Sequence, residues 1–406
     1  MKSRNQYLNK LVRWKDRQVI KVITGVRRCG KSSLLMLYKD YLEKSNVSDD
    51  HIIFMNFESM KYIDILDYKS LYTTITKEIK KQDMKTYILL DEIQLVDGWE
   101  RCINGLLVDY NVDIYLTGSN SYMLSSELAT LLSGRYVEIK MLPLSFKEFL
   151  DFSEIKTLNN QALIDERFNS FFRYGGLPSV TLFDDDENLT NELLIGIYNT
   201  VVMKDIIQKN SVRDPALLDS LIRFLAANVG NIVSTKKISD YLTSAGRKTT
   251  SETIDNYISM VISSFIIYKV NRYDLKGKMH LKTFEKYYLV DTGIRYLLAG
   301  SKFIDEGYVL ENIVYLELIR REYQVSIGKI GDLEVDFIAT KASEKIYVQV
   351  SLTISDDKTR KRELKPLLAI NDNYPKCIIT KDKVAFEDIE GIHVINIIDY
   401  LLEDYV

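Results

Sequence analysis

The chain has 406 residues, enough for two to four domains at about 100–200 residues each. Its 54 Lys+Arg against 57 Asp+Glu leave a net charge of −3, which excludes a globally basic nucleic-acid binder and an acidic solvating tail; any polyanion must be met locally. With 46% hydrophobic residues, 3 Cys, 3 His, a charged N-terminus and no apolar run near the ~18 residues of a membrane span, we expect a globular cytoplasmic chain without membrane segment, disulfide framework or Cys/His metal site.

From residue 19 to about 140, short β-branched or aromatic runs (19–24, 52–57, 87–90, 112–116 and 136–139) alternate with helical stretches, the pattern of a parallel α/β sheet. Residues 143–202 read as helical, interrupted by the turn Tyr174-Gly175-Gly176-Leu177-Pro178. Helices are expected at 217–228, 234–242 and 251–265, with Ser234 and Ser251 as N-caps, followed by strands at 266–273 and 286–290. Three helices and a hairpin give a winged helix-turn-helix outline. A helix near 310–322, strands at 324–327, 334–339 and 345–350, a basic helix at 358–368 and a strand at 376–380 form a second α/β part. The expected divisions are 1–142, 143–210 (a helical lid and linker), 211–300 and 301–406.

The first strand runs into Gly25-Val26-Arg27-Arg28-Cys29-Gly30-Lys31-Ser32, matching G-x-x-x-x-G-K-[ST], with a helix from Ser33 onward. Two glycines let backbone N–H groups turn onto phosphates, Lys31 reaches the β/γ oxygens and the Ser32 hydroxyl holds Mg²⁺. Tyr87-Ile88-Leu89-Leu90-Asp91-Glu92 is an apolar strand ending in two acids, so Asp91 is assigned to Mg²⁺ and Glu92 to the general base for water. Ser119 and Asn120, at the end of the next strand, either sense the γ-phosphate or serve as turn and cap residues. Arg135 either acts as a positive finger toward a neighbouring subunit or satisfies helix carbonyls.

These phrases, with Leu90-Asp91-Glu92-Ile93-Gln94, Trp99-Glu100, Leu116-Thr117-Gly118-Ser119-Asn120 and Leu142-Pro143-Leu144-Ser145-Phe146, resemble a prokaryotic AAA+ ATPase family, the archaeal-ATPase and replication-initiator branch. Tyr174-Gly175-Gly176-Leu177-Pro178, Lys286-Tyr287-Tyr288-Leu289-Val290-Asp291 and Leu310-Glu311-Asn312 also resemble that family, whose C-terminal half is a domain of unknown function. The resemblance implies ATP/ADP and Mg²⁺ as ligands, Ser119 or Asn120 as sensor 1 and Arg135 as arginine finger. A sensor 2 arginine is not assigned, because the comparable turn reads Gly175-Gly176-Leu177-Pro178.

Glu311, Asp336, Gln349 and Ser351 follow the order of the PD-(D/E)xK nuclease fold, with a neutral amide and a hydroxyl where that chemistry needs an acid and a lysine. The restriction-endonuclease-like fold is expected and cleavage is not; Asp336 and Glu311 are otherwise ion-pair or cap residues. Lys236, Lys237, Arg247 and Lys248, and the run Lys358-Thr359-Arg360-Lys361-Arg362 with Lys365, are candidate DNA contacts or solvated faces. The leading expectation is a Mg²⁺-dependent AAA+ ATPase acting on DNA or a partner protein through its C-terminal parts, in a possible homo-oligomer without membrane contact. The alternatives are a nucleotide-switched binding module with very slow turnover, and a DNA nuclease.

Overall fold

A computed structural model describes residues 2–80, 84–119, 132, 134–153, 160–183, 186–300, 305–383 and 388–403. Asn120 and Ser133 lie outside the described residues. The chain forms two compact units, Met1–Met141 with Ser263–Phe265, and Leu142–Ile262 with Ile266–Val406. No described helix is long and apolar enough to cross a membrane.

Unit 1 is built on five parallel strands, β1 (Ile20–Thr24), β2 (Ile52–Asn56), β3 (Thr86–Asp91), β4 (Val112–Gly118) and β5 (Tyr136–Lys140), in the order β2-β3-β4-β1-β5. The apolar runs of the central strands β1, β3 and β4 are buried on both faces, as parallel sheets require, while the edge strand β5 is half exposed. The helices are α1 (Asn5–Arg13), α2 (Lys31–Lys44), α3 (Tyr68–Glu78) and α4 (Trp99–Asp109). Helix α1 carries no expectation from the sequence, although Tyr7 and Leu11 are buried and Leu8 and Val12 half-buried along one stripe at helical spacing. At the strand ends remote from the P-loop, buried Lys21 is ion-paired to buried Asp113, which also accepts from the Asp16 N–H and the Tyr115 hydroxyl.

Unit 2 begins with α5 (Phe146–Phe152), whose Ser145 and Glu148 form a reciprocal capping box. Next come α6 (Gln161–Tyr174), α7 (Glu187–Thr200) with a π-helical continuation over Val201–Gln208, α8 (Pro215–Ala227), α9 (Thr235–Ser244) and α10 (Ser251–Ser263). Ser234 caps α9, as expected. Ser251 is instead the first residue of α10, and Thr250 Oγ1 accepts from the Thr253 N–H, since either adjacent hydroxyl can fill the cap role.

The antiparallel strands β6 (Ile267–Asp274) and β7 (Met279–Leu289) follow, then α11 (Thr292–Ala299), α12 (Glu306–Arg320), β8 (Gln324–Ile330), β9 (Leu333–Lys341) and β10 (Glu344–Ser351). Helix α13 (Asp357–Leu368), β11 (Lys376–Thr380), β12 (Asp388–Ile389), β13 (Ile392–Asn396) and α14 (Ile397–Leu402) complete the chain. All eight strands belong to one sheet, ordered β12-β13-β11-β10-β9-β8-β6-β7. Strand β6 pairs in parallel with β8 from Arg272↔Ile327 to Asp274↔Lys329, so the hairpin does not end where the sequence suggested a division at 300/301.

Four sequence phrases interlock in unit 2. The buried Asp291 carboxylate accepts from the N–H of Gly176 (2.7 Å), Gly293 (2.9 Å) and Ile294 (3.2 Å), while Leu144 N–H donates to Gly176 O (2.6 Å). A Cβ at Gly176 would stand 2.5 Å from Leu144 O, and one at Gly293 would run into Tyr174 O, so both positions need glycine. Asn312 closes the next link, accepting from Leu289 N–H and donating to Leu289 O, each at 2.8 Å.

Because β6–β8 pairing crosses residue 300, a fragment of residues 301–406 will be unfolded by circular dichroism, whereas 142–406 will melt cooperatively. The smaller fragment exposes a sheet edge and breaks buried ion pairs worth about 3–5 kcal/mol, much of a domain's total stability of roughly 5–15 kcal/mol.

Candidate nucleotide site

Strand β1 delivers the chain to a loop that only unusual backbone can close. Gly25 and Gly30 have φ of 145° and 102°, and a Cβ on Gly25 would collide with Met141 O. Arg28 also holds positive φ, at 69°. Val26 and Cys29 are buried, and burial raises the Cys29 thiol above its ordinary range. The Arg27 guanidinium pairs with Glu58 at 2.9 Å, Arg28 and Ser33 are exposed, and Arg4 donates to Cys29 O at 3.0 Å. Helix α2 starts here, its first ladder bond running from Leu34 N–H to Gly30 O (2.9 Å), so the preceding N–H groups lie outside the ladder.

The Lys31 side chain is 3% exposed and folds back onto the loop, donating to Gly25 O (3.0 Å) and Val26 O (3.2 Å). Its ammonium stands 4.0 Å from Glu92 Oε1. The parallel register Leu90↔Leu116 puts Thr117 beside Asp91, and Thr24↔Gly118 puts the end of β4 beside the P-loop strand. The Thr117 hydroxyl donates to Asp91 Oδ1 and accepts from the Glu92 N–H (2.9 Å), tying the two acids together. Asn56 donates to Asp91 Oδ2 at 2.9 Å, and the Ser32 hydroxyl also bonds Asp91. Burial raises the Asp91 carboxyl above its ordinary value, against the opposing bonds from Thr117 and Ser32.

Glu92 sits at φ 54°, a left-handed conformation for a buried non-glycine residue. Ser119 donates to its Oε1 (2.8 Å) and Oε2 (3.1 Å), and Gln94 donates to Oε2. Burial pushes the Glu92 carboxyl up, but the Lys31 charge with the Ser119 and Gln94 bonds brings it below its ordinary value. Arg135 is exposed, and its carbonyl accepts from the Ile20 N–H at the start of β1. It lies at the opposite end of the strand from the P-loop, a span of roughly 15 Å for five residues, and does not reach its own nucleotide loop. Thr117, Gln94 and Asn56 escaped sequence reasoning as individual residues. The signals were polar residues ending β2 and β4 and following the paired acids, and only strand order made them neighbours of the acids.

A second cluster lies in unit 2. Glu311 and Asp336 come together, joined by Glu334 and by Lys286, which the sequence reading did not assign to a site. The Lys286 ammonium stands 2.9 Å from Glu311, 2.8 Å from Glu334 and 3.8 Å from Asp336. Gln349 accepts weakly from Asp336 N–H (3.3 Å) and donates to Glu363 (2.9 Å), and the Ser351 hydroxyl is turned to Thr353 O (2.9 Å).

A family profile for an AAA domain matches residues 17–150, and one for a domain of unknown function (DUF8612) matches residues 165–303. An uncharacterized protein of Haemophilus influenzae is 45% identical over 404 residues, 99% of each chain. An uncharacterized protein of Methanocaldococcus jannaschii is 32% identical over 399 residues, covering 94% of this chain and 87% of its own. Among solved structures, the Walker-type ATPase PABY2304 of Pyrococcus abyssi aligns with a TM-score of 0.52 at 16% identity, covering 73% of this chain and 96% of that one, and so shares its fold.

Thr117→Val will lower the unfolding free energy by about 1–3 kcal/mol, because it strands a buried carboxylate oxygen and the Glu92 N–H at unchanged volume. Thr117→Ser, which keeps the hydroxyl, will recover most of that loss in chemical denaturation.

Proposed function

Because the chain belongs to a family of AAA-domain P-loop ATPases with full-length relatives in Haemophilus influenzae and Methanocaldococcus jannaschii, we propose that it is a Mg²⁺-dependent ATP hydrolase whose nucleotide state governs action on nucleic acid. The observation that carries the hydrolase reading is the convergence of Lys31, Ser32, Asp91, Glu92 and Ser119 at one end of β1, β3 and β4.

The donor set fits a magnesium nucleotide. Lys31 is held by two carbonyls that phosphate oxygens replace with charge-assisted bonds, and the N–H groups ahead of the α2 ladder face the same loop. Ser32 and Asp91 supply hard oxygen ligands already in contact with each other, as Mg²⁺ requires. When bound, the metal ion neutralises charge on the β and γ oxygens. Glu92, held below its ordinary carboxyl range, is ionised at neutral pH and accepts the proton of an attacking water. Its bonds to Ser119 and Gln94 must yield for that role, which favours slow basal turnover and a nucleotide-switched mode of action. The far position of Arg135 supports a role toward a neighbouring copy rather than its own site.

The nucleic-acid reading rests on α13. Lys358, Lys361, Arg362 and Lys365 are exposed at helical spacings of three and four, forming one cationic stripe, in which Arg362 is also paired with Glu363; Arg360 is paired with Asp357. The winged-helix reading of 211–300 supports nucleic-acid contact less. Lys236, Lys237, Arg247 and Lys248 are exposed on its flanks, but the exposed face of α10 presents Glu252 and Asp255 beside Asn256 and Ser259. Two carboxylates repel phosphate, so this helix suits a protein partner better.

Lys31→Ala will weaken ATP binding roughly 10- to 100-fold in calorimetry. Glu92→Gln will bind ATP normally and lose about 10²–10⁴-fold in turnover. Parental turnover in either variant would overturn the site. Neutralising Lys358, Lys361, Arg362 and Lys365 to Gln will flatten the log–log salt dependence of duplex-DNA affinity by about 3–4, at roughly 0.9 per phosphate contact. An unchanged slope removes α13 from the interface.

A further inference from the structure

The acidic cluster of unit 2 contains its own cation. Glu311 comes from α12, Glu334 and Asp336 from β9, and Lys286 from β7, the outer strand of the hairpin. The Lys286 side chain is 3% exposed, Glu311 7%, Asp336 12% and Glu334 32%, so the group opens to water chiefly at Glu334. An ammonium has three N–H donors and no other function in such surroundings. All three carboxylates lie within 4 Å of it, two of them at hydrogen-bond distance.

Two further donors reach the cluster. Tyr288 donates its hydroxyl to Glu311 Oε1 at 2.6 Å, and the Val350 N–H donates to Asp336 Oδ2 at 2.9 Å. The Tyr288 ring stacks on Tyr315 with centroids 4.5 Å apart, which fixes the hydroxyl in place. Gln349 donates its amide N–H to Glu363 and its oxygen accepts from the Asp336 N–H, and the Ser351 hydroxyl is turned to Thr353 O, so neither side chain bonds a carboxylate of the cluster. Among the described residues, no three His, Cys, Asp or Glu side chains are arranged to hold a metal ion.

We propose that Lys286 is a built-in replacement for a metal ion: its ammonium neutralises Glu311, Glu334 and Asp336, and the cluster is a metal-free ion-pair core that binds the hairpin to α12 and β9. A divalent ion sharing these oxygens at about 2.0–2.6 Å would stand beside a buried positive charge, so the two cations exclude one another. The lysine is thereby also withheld from phosphate and water. Its charge is firmly held, because the three carboxylates outweigh the burial that would otherwise depress it. The inference stands apart from the ATPase reading, since it involves none of the residues of unit 1.

The test is a Mn²⁺ titration of the nucleotide-free full chain, followed by electron paramagnetic resonance and thermal melting. All proteins carry Ser32→Ala, so that metal at the nucleotide loop does not enter the comparison. With Lys286 present, we expect no Mn²⁺ bound in unit 2, no metal-dependent rise in Tm and no nicking of supercoiled plasmid. Lys286→Gln is expected to melt lower and to gain one Mn²⁺ per chain. At about 100 times its Kd, Mn²⁺ then raises the Tm of that variant by roughly 5 °C or more. Lys286→Arg, which keeps the charge, is expected to gain no metal. A stoichiometric Mn²⁺ in the Lys286 protein that is lost in Glu311→Gln, or plasmid nicking lost in Asp336→Asn, would overturn the proposal. So would a folded Lys286→Gln that takes up no Mn²⁺; should that variant not fold, the Lys286 protein and its Glu311→Gln counterpart decide the question alone.

Discussion

A carboxylate removed from water must be met by donors, and this requirement organises the whole molecule. Asp91, Glu92, Asp113, Asp291, Glu311 and Asp336 are all buried. Each is matched by groups brought from elsewhere in the chain, because an unmatched buried charge costs several kcal/mol, a large part of a domain's stability. The kind of donor separates the roles. Asp91 and Glu92 are met largely by hydroxyls and amides of Thr117, Ser32, Asn56, Ser119 and Gln94, neutral groups that water or a metal ion can displace. Glu311 is met on one oxygen by a lysine and a tyrosine, both buried. Asp291 is met by backbone N–H groups, which fix a turn and do no chemistry.

The same constraint explains the geometry of the nucleotide loop. With Lys31 drawn back onto Gly25 and Val26 carbonyls and close to Glu92, the buried acid is balanced within the protein. Under the proposed reading, a polyphosphate entering the loop would take over the ammonium and leave Glu92 to its Ser119 and Gln94 partners, linking nucleotide occupancy to the state of Glu92 through one side chain. The parallel order β2-β3-β4-β1-β5 makes this possible, since it sets the acids of β3 and the polar end of β4 next to the strand that feeds the loop.

Much of this was legible in the sequence. The central strands of unit 1 were readable because continuous apolar runs mark strands buried on both faces, and the glycine spacing with a following lysine and serine marks a phosphate loop. Helix α1 was not, since its apolar stripe of Tyr7, Leu8, Leu11 and Val12 is short and set among polar and charged residues. The phrase Lys286-Tyr287-Tyr288-Leu289-Val290-Asp291 stood out without a reason. Its reason is tertiary: Lys286 and Tyr288 meet Glu311, Leu289 meets Asn312, and Asp291 meets Gly176, so residues at the end of β7 and just beyond it serve distant segments.

By itself the sequence determined the α/β class, the phosphate loop and the pair of acids that complete it, because these depend on local spacing and on residue types with one dominant use. Only the tertiary structure decided that Thr117 bridges Asp91 and Glu92, that Arg135 stands a strand's length from its own loop, that the hairpin shares a sheet with the C-terminal strands, and that a lysine 25 residues before Glu311 fills the acidic cluster. Those outcomes rest on strand order and register, which couple residues far apart in the chain through contacts that no local pattern encodes.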